Sequence, residues 1–321
     1  MIMATNELHV VFGATGGAGS AIVRELVRRG KRVRAVNRSG KTDIGSVEAV
    51  RADVLDAGST RAAAEGATVV YNATNAPYTK WPELFPPMWQ NVTEAAAHAG
   101  AKLVVVDNLY MYGTTNGSLT EDTPYRATGR KGMTRIKMAE QLMEAQRSGK
   151  VRVAVGRSAD YFGPGITLSL FNDALFRKAL AGKRVSGVAN LDLPPTQAFI
   201  DDVGRGIVTL GEHDEAFGQI WHMPHAPAIT QREFIRLIFN EAGQPPKIGR
   251  MSTWVFRLGG IAVPILRELA EMSYQYEQPF VVDSSKFERA FGVHPTPLPE
   301  AIRQTLDWVR QAEQIQPATA H

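Results

Sequence analysis

The sequence predicts an α/β fold, a doubly wound parallel sheet followed by a smaller C-terminal α/β cap, and three observations carry that expectation. The chain opens on an apolar run of strand length, Leu8-His9-Val10-Val11-Phe12, which ends in a turn with glycines at 13, 16 and 19. The residues after it, Ser20 to Arg29, place Ile22, Val23, Leu26 and Val27 on one side and basic residues on the other, the pattern of an amphipathic helix. Further strand-length runs then recur as far as Arg157, separated by stretches of helical or loop character.

Each glycine of the first turn has its own physical reason. Gly13 permits the sharp turn, Gly16 removes a side chain where a pyrophosphate would approach the backbone, and Gly19 lets helix and strand pack closely. Strand, glycine turn and helix in that order are the context of a dinucleotide-binding, Rossmann-type unit. Thr15, Gly17 and Ala18 complete the loop that would line the phosphates.

Composition narrows the class. With 321 residues, 44% of them hydrophobic, the chain can bury a large core. No apolar run approaches the ~20 residues of a membrane helix, and the polar start with Glu7 close behind lacks a signal-peptide core, so a cytoplasmic location is expected. The absence of cysteine excludes disulfides, thiolate nucleophiles and cysteine-ligated metals. The seven histidines show no metal-ligand spacing, so no metal is expected. A net charge of +4 without a long basic block argues against nucleic acid; the densest patches, Arg126 to Lys137 and Arg24 to Arg38, read as solvated faces near an anionic cofactor.

The spacing of Gly13-Ala14-Thr15-Gly16-Gly17-Ala18-Gly19 resembles that of the short-chain dehydrogenase/reductase superfamily, closest to its extended and atypical branches, which include the epimerase/dehydratase type. The second strand, Arg32 to Arg38, ends where such a fold meets the adenosine ribose. Asn37 and Arg38 stand there instead of an acid; a guanidinium can pair with a 2′-phosphate and stack on adenine, which favours NADP while NAD remains the alternative. After a third strand, Val47 to Ala52, the resemblance implies that Asp53, beside Val54, meets the adenine edge; an N-cap by Asp56 or Ser59 explains that polar cluster equally well. The fourth strand, Thr68 to Asn75, exits with Ala73 and Thr74, small enough for the cofactor's bridging sugar and phosphate to lie against the backbone. Pro77 to Pro87, rich in proline and aromatics, is expected to be a loop.

The helix Met88–Ala99 leads to the fifth strand, Lys102 to Asp107, whose exit is Asn108-Leu109-Tyr110-Met111-Tyr112-Gly113. Tyr112-Gly113 match the family, and the resemblance puts its carbonyl-binding hydroxyl at Asn108, whose amide can still donate to a carbonyl or alkoxide. Tyr110 offers a phenol to the same crevice. The family's Tyr-x-x-x-Lys dyad falls on Met133 and Lys137, so the lysine that would hold the nicotinamide ribose is present and the proton donor is not. Tyr110 is the leading replacement; Tyr112 reads as packing, Tyr125 as a loop residue and Lys131 as solvated.

A sixth strand, Val151 to Arg157, runs into a turn ending Gly163-Pro164, where the resemblance gives Asp160 a substrate-facing place, with a cap at the strand exit as the other use. Gln197 to Val203 resembles a strand leading to an aspartate-capped helix, and His222 reads as structural. Apolar residues on nearly every face of Ser252 to Ala270 predict a helical pair buried in a cap or lining an apolar cavity, and either favours a bulky hydrophobic substrate over a nucleotide sugar.

The expected organisation is an NADP-binding Rossmann region over 1–163 with parts of 197–225, a substrate-binding cap over 164–196 and 226–310, and a loose tail over 311–321. The expected function is NADP-dependent reduction of a ketone or aldehyde on a mainly apolar small molecule, with neither nucleic acid nor membrane as partner. The resemblance also implies a homodimer through two helices. Two competitors stand beside it, a non-catalytic NADP-binding sensor or partner-binding protein, prompted by Met133, and a sugar-nucleotide epimerase or dehydratase.

Overall fold

Alternating apolar residues on successive strands, each followed by a turn and a helix, produce a parallel sheet covered on both faces. The computed structural model describes residues 7–254 and 263–315. Its first half runs β1 (Leu8–Phe12), α1 (Gly17–Arg28), β2 (Arg32–Asn37), β3 (Glu48–Arg51), α2 (Ala57–Ala64), β4 (Val69–Asn72), α3 (Trp81–His98), β5 (Lys102–Asp107), α4 (Arg130–Arg147) and β6 (Val153–Arg157). It continues with β7 (Asp160–Phe162), α5 (Asp173–Leu180), β8 (Val185–Val188), β9 (Gln197–Phe199), α6 (Ile200–Glu212), β10 (Ile220–His222), α7 (Gln231–Glu241) and β11 (Ile248–Met251). The short helices Pro264–Glu271, Tyr274–Glu277 and Ser285–Phe291 and the long helix Leu298–Ile315 complete the described chain.

Seven strands form one parallel sheet in the order β10-β6-β5-β4-β1-β2-β3. Val10, Phe12, Leu103 and Val105 face α2, α3 and α4, while Val11, Val104 and Ala154 face α1 and α6. The strand order reverses between β1 and β4, so the crevice beyond their carboxyl ends is where this topology takes a ligand. Two parallel pairs, β8 with β11 and β7 with β9, lie outside the main sheet. An aromatic core of Phe162, Phe171, Phe176, Phe234 and Phe239 packs with the C-terminal helix. No helix among the described residues is long and apolar enough to cross a membrane.

Three expectations are corrected. Residues 81–87 are the start of α3, preceded by a short turn of helix at Tyr78–Lys80, and not a loop. Pro82 sits in the first turn, where no intrahelical N–H bond is lost. Burial of Trp81, Phe85 and Trp89, one turn apart on one face, holds the helix through Pro86 and Pro87. The aspartates of α6 do not cap it: Asp202 lies inside the first turn and accepts from the Thr296 amide and hydroxyl and from Arg205. Residues 311–315, expected to be loose, continue the last helix. Of the predicted apolar helical pair, Val255, Phe256, Leu258 and Ile261 lie outside the described residues.

Two histidines are sealed in the sheet. His9 Nδ1 is 3.1 Å from the Tyr71 hydroxyl. His222 Nδ1 lies 3.0 Å from the Asp283 carbonyl, which can only accept, so Nε2 is the bare nitrogen that accepts from the Tyr112 hydroxyl at 3.0 Å. Burial above all, aided by Lys31, lowers His9 to about 4, and burial takes His222 to about 3. Unfolded, both would protonate near the usual ~6.5. Their neutral native forms therefore make stability fall as pH drops below about 6.5, by roughly 2–3 kcal/mol per histidine near pH 4. Urea midpoints should decline steadily between pH 7 and 4.5, and His9→Phe should flatten the decline; a midpoint indifferent to pH would refute this.

Candidate active site

The glycine turn builds the first part of the site. Gly13 adopts a left-handed φ of 78°, and its amide donates to the Val36 carbonyl at 3.0 Å. A Cβ on Gly19 would run into the Gly13 carbonyl, and one on Gly13 into the Ala73 carbonyl, so both are demanded by close backbone approach. A Cβ on Gly16 would meet only the Gly13 oxygen, at 3.4 Å, and otherwise points into open space. No side chain caps α1 at Gly16, so the amides of its first turn, Gly17 to Gly19, are left for an anion. Thr15 is exposed, and Ala18 is half-buried beside it.

At the end of β2, the Asn37 carboxamide is spent on the turn: Oδ1 accepts from the Ser39 amide and hydroxyl and the Gly40 amide, and Nδ2 donates to the Lys41 carbonyl. The turn so fixed presents Arg38, which is exposed and has no hydrogen-bond or ionic partner among the described residues. Asp53, also exposed, accepts the Leu55 amide on one carboxylate oxygen at 3.0 Å, and the Val54 carbonyl accepts from Asn91. Asp56 is the N-cap of α2, taking the Ser59 amide. Ala73 continues the β1 ladder by donating to Phe12, and the Thr74 hydroxyl donates to Asn72 Oδ1 at 2.7 Å.

The exit of β5 carries the next group. Asn108 Oδ1 accepts the Tyr110 amide at 3.1 Å, while its Nδ2 has no partner among the described residues. The Tyr110 ring stacks on Trp81 with centroids 5.6 Å apart, and its oxygen accepts from the Tyr78 hydroxyl at 3.4 Å. Burial, reinforced by the charge of Asp160 and partly offset by Tyr78 and Arg135, pushes the Tyr110 phenol up to about 12. On α4, Met133 is 51% exposed and Lys137, one turn on, is exposed without an ionic partner among the described residues.

What the sequence missed lies on the opposite face of α4. Lys131, expected in solvent, is 1% exposed: its ammonium pairs with Glu268 and, at 3.3 Å, with Glu271, and stands 4.4 Å from the Tyr78 ring centroid. Its backbone amide donates to Glu271 Oε1 at 2.9 Å, so a carboxylate from the C-terminal region caps α4. Arg135 is boxed by Trp81, Phe85 and Trp89 and donates to Asp107 Oδ1 at 3.1 Å. Arg157 donates to Asp107 Oδ2 at 3.2 Å, to the Tyr112 hydroxyl at 2.8 Å and to the Tyr125 hydroxyl at 2.6 Å. Tyr125 is therefore a network member rather than a bare loop residue. Asp160 accepts from the Tyr276 hydroxyl at 2.8 Å. The Lys131-x-x-x-Arg135 spacing was the available signal, since it puts both on one helix face.

The profile of the NAD dependent epimerase/dehydratase family matches residues 9–222. Cinnamoyl-CoA reductase 1 of Oryza sativa subsp. japonica is 36% identical over 118 residues, 32% of this chain and 35% of that protein, so the match spans about a third of the relative's length. The crystal structure of gox2253 superposes with a TM-score of 0.79 at 18% identity, covering 96% of this chain and 99% of the other. A dTDP-glucose 4,6-dehydratase from Streptomyces venezuelae, with NAD and TYD bound, gives 0.77 at 18% identity over 97% and 99% of the two chains. UDP-glucuronic acid 4-epimerase from Bacillus cereus, in complex with NAD, gives 0.77 at 17% identity over 98% and 100%. At such identities the structural likeness speaks for the fold.

Proposed function

Because the chain belongs to the NAD dependent epimerase/dehydratase family, whose members are NAD(P)-dependent enzymes, we propose that it is an NADP-dependent oxidoreductase reducing a ketone or aldehyde on a mainly apolar small molecule. The observation that carries this reading is the exit of β5, where the Asn108 Nδ2, without a partner among the described residues, lies two residues before Tyr110, whose phenol meets the Tyr78 hydroxyl. The uncapped α1 amides and the open space over Gly16 fit a pyrophosphate. Gly13, Thr15, Gly16, Gly17, Ala18 and Gly19 would line it, Ala73 and Thr74 would flank the bridging sugar, Asp53 and Val54 would meet the adenine, and Arg38, on the turn held by Asn37, would take a 2′-phosphate.

Bound NADPH supplies the hydride. Lys137 would hold the nicotinamide ribose, Asn108 Nδ2 would donate to the substrate carbonyl and stabilise the charge that develops on its oxygen, and Tyr110 would deliver the proton. An apolar substrate is favoured because the buried cations on this side are already matched: Lys131 by Glu268 and Glu271, Arg135 and Arg157 by Asp107. None of these is left to hold a diphosphate, which weighs against a nucleotide sugar. The homodimer implied by the resemblance would form through two helices; α3 and α4 border a groove lined by Gln90, Glu94, Gln141 and Lys150 over buried Trp89, Met138 and Leu142.

The test is a titration with NADPH and NADH, read by energy transfer from the five tryptophans, followed by a carbonyl panel. NADPH should bind at least tenfold tighter than NADH, about 1.4 kcal/mol. Arg38→Ala should abolish that margin while leaving NADH binding unchanged. Equal binding of both nucleotides by the wild type would remove the NADP assignment, and tight binding without turnover of any carbonyl would leave a sensor.

A further inference from the structure

Tyr78, in the short turn of helix before α3, lies at 78° to the Trp81 ring with centroids 5.1 Å apart, and Trp81 in turn stacks on Tyr110. Packing on a shared indole brings together two hydroxyls 32 positions apart in the chain, and that of Tyr78 donates to that of Tyr110 at 3.4 Å. The Lys131 ammonium stands 4.4 Å from the Tyr78 ring centroid, held there by Glu268 and Glu271. A cation over an aromatic face is bound by the ring's quadrupole and draws electron density from the ring. The Tyr78 hydroxyl is thereby made the better donor of the pair and the poorer acceptor. The Gln275 carboxamide is a second donor to the Tyr110 oxygen, while Arg135 and Asp160 act on it through charges that oppose each other.

We infer that Tyr78 is the positioning residue of the proton donor: its hydroxyl, given to the Tyr110 oxygen, leaves the Tyr110 proton free for a substrate oxygen and holds the phenolate that remains. The inference rests on the carbonyl reduction proposed above, with Tyr110 as its general acid. A phenol has one proton, and an oxygen that accepts from Tyr78 and Gln275 spends that proton on neither. As hydride adds to the carbonyl carbon, the carbonyl oxygen takes the Tyr110 proton, and the electron pair of the broken O–H bond stays on the phenolate. Tyr78 keeps its own proton throughout. Its hydrogen bond now ends on a charged oxygen and is stronger than before transfer, the kind of difference that lowers a barrier. Water returns a proton to Tyr110 when product leaves.

Tyr78→Phe removes one hydroxyl and keeps the ring between Trp81 and Lys131. In the full-length protein it should lower kcat for NADPH-dependent carbonyl reduction about tenfold with KM and NADPH affinity unchanged, as for a charge-assisted hydrogen bond lost from the transition state. In the Tyr110→Phe background the same change should cost nothing further, since its effect passes through the phenol. Losses that add would mark Tyr78 as packing alone and overturn the inference. A second readout needs no turnover. Difluorotyrosine incorporated at position 110 ionises below the other tyrosines, and its ionisation is followed by absorbance. Tyr78→Phe should move it about one pH unit higher, because the phenolate loses a donor. An ionisation unmoved by Tyr78→Phe refutes the inference by itself, whereas wild-type protein that reduces no carbonyl refutes the reading of the preceding subsection.

Discussion

On the carbonyl-reductase reading proposed above, Tyr110→Phe should lower kcat by about 10²–10³ while leaving NADPH affinity unchanged, because it would remove the general acid and no group assigned to the cofactor. The ring would still stack on Trp81, so the variant should fold normally. The phenol lies at about 12, so it is fully protonated, and competent as a donor, until pH is far above neutral. Tyr110 itself therefore contributes no break to the kcat profile below about pH 10. Any break nearer neutrality belongs to another group. Adding Met133→Tyr to the Tyr110→Phe variant would place a phenol one turn from Lys137, where its cation favours the ionised form. That double variant should recover part of the activity with a new break at lower pH. An unimpaired Tyr110→Phe enzyme would show that the proton comes from elsewhere.

Asp107→Asn should be the most destabilising single change at the site. The carboxylate divides its two oxygens between Arg135 and Arg157, both buried, and the substitution leaves two guanidiniums without a counter-charge. Removing one partner of a buried ion pair costs about 3–5 kcal/mol. Set against a native stability of about 5–15 kcal/mol, that is a large fraction of the whole. The urea midpoint should drop accordingly, and Arg38→Ala, made on the exposed turn, should leave it unmoved. A midpoint for Asp107→Asn within error of wild type would mean that the guanidiniums are satisfied another way.

The fold was legible where the determining interactions are local. Val10 and Phe12 alternate with Val11 within one strand, and the glycine turn follows directly, so the sheet's first unit can be read in a dozen residues. The Thr230 N-cap and Glu233, three residues apart, form a capping box at α7 for the same reason. The start of α3 was not legible, because local proline content argues for a loop and only burial of Trp81, Phe85 and Trp89 outweighs it. The polar heart of the site was hidden by distance along the chain. Lys131 meets Glu268 across 137 positions and Asp160 meets Tyr276 across 116, and no periodicity couples residues so far apart. Burial of Arg135 and Lys131 was hidden too, since an isolated basic residue on a helix ordinarily lies in water.

The carboxylate that Glu271 lends to the first turn of α4 has a consequence for how this protein could be altered. The helix bearing Met133 and Lys137 has its starting turn fastened by residues about 140 positions downstream, so the two segments are inherited together. A chimera that borrows residues 264–277 from another chain must bring acids at 268 and 271, or Lys131 is stranded in the interior and the α4 entry loses its anchor.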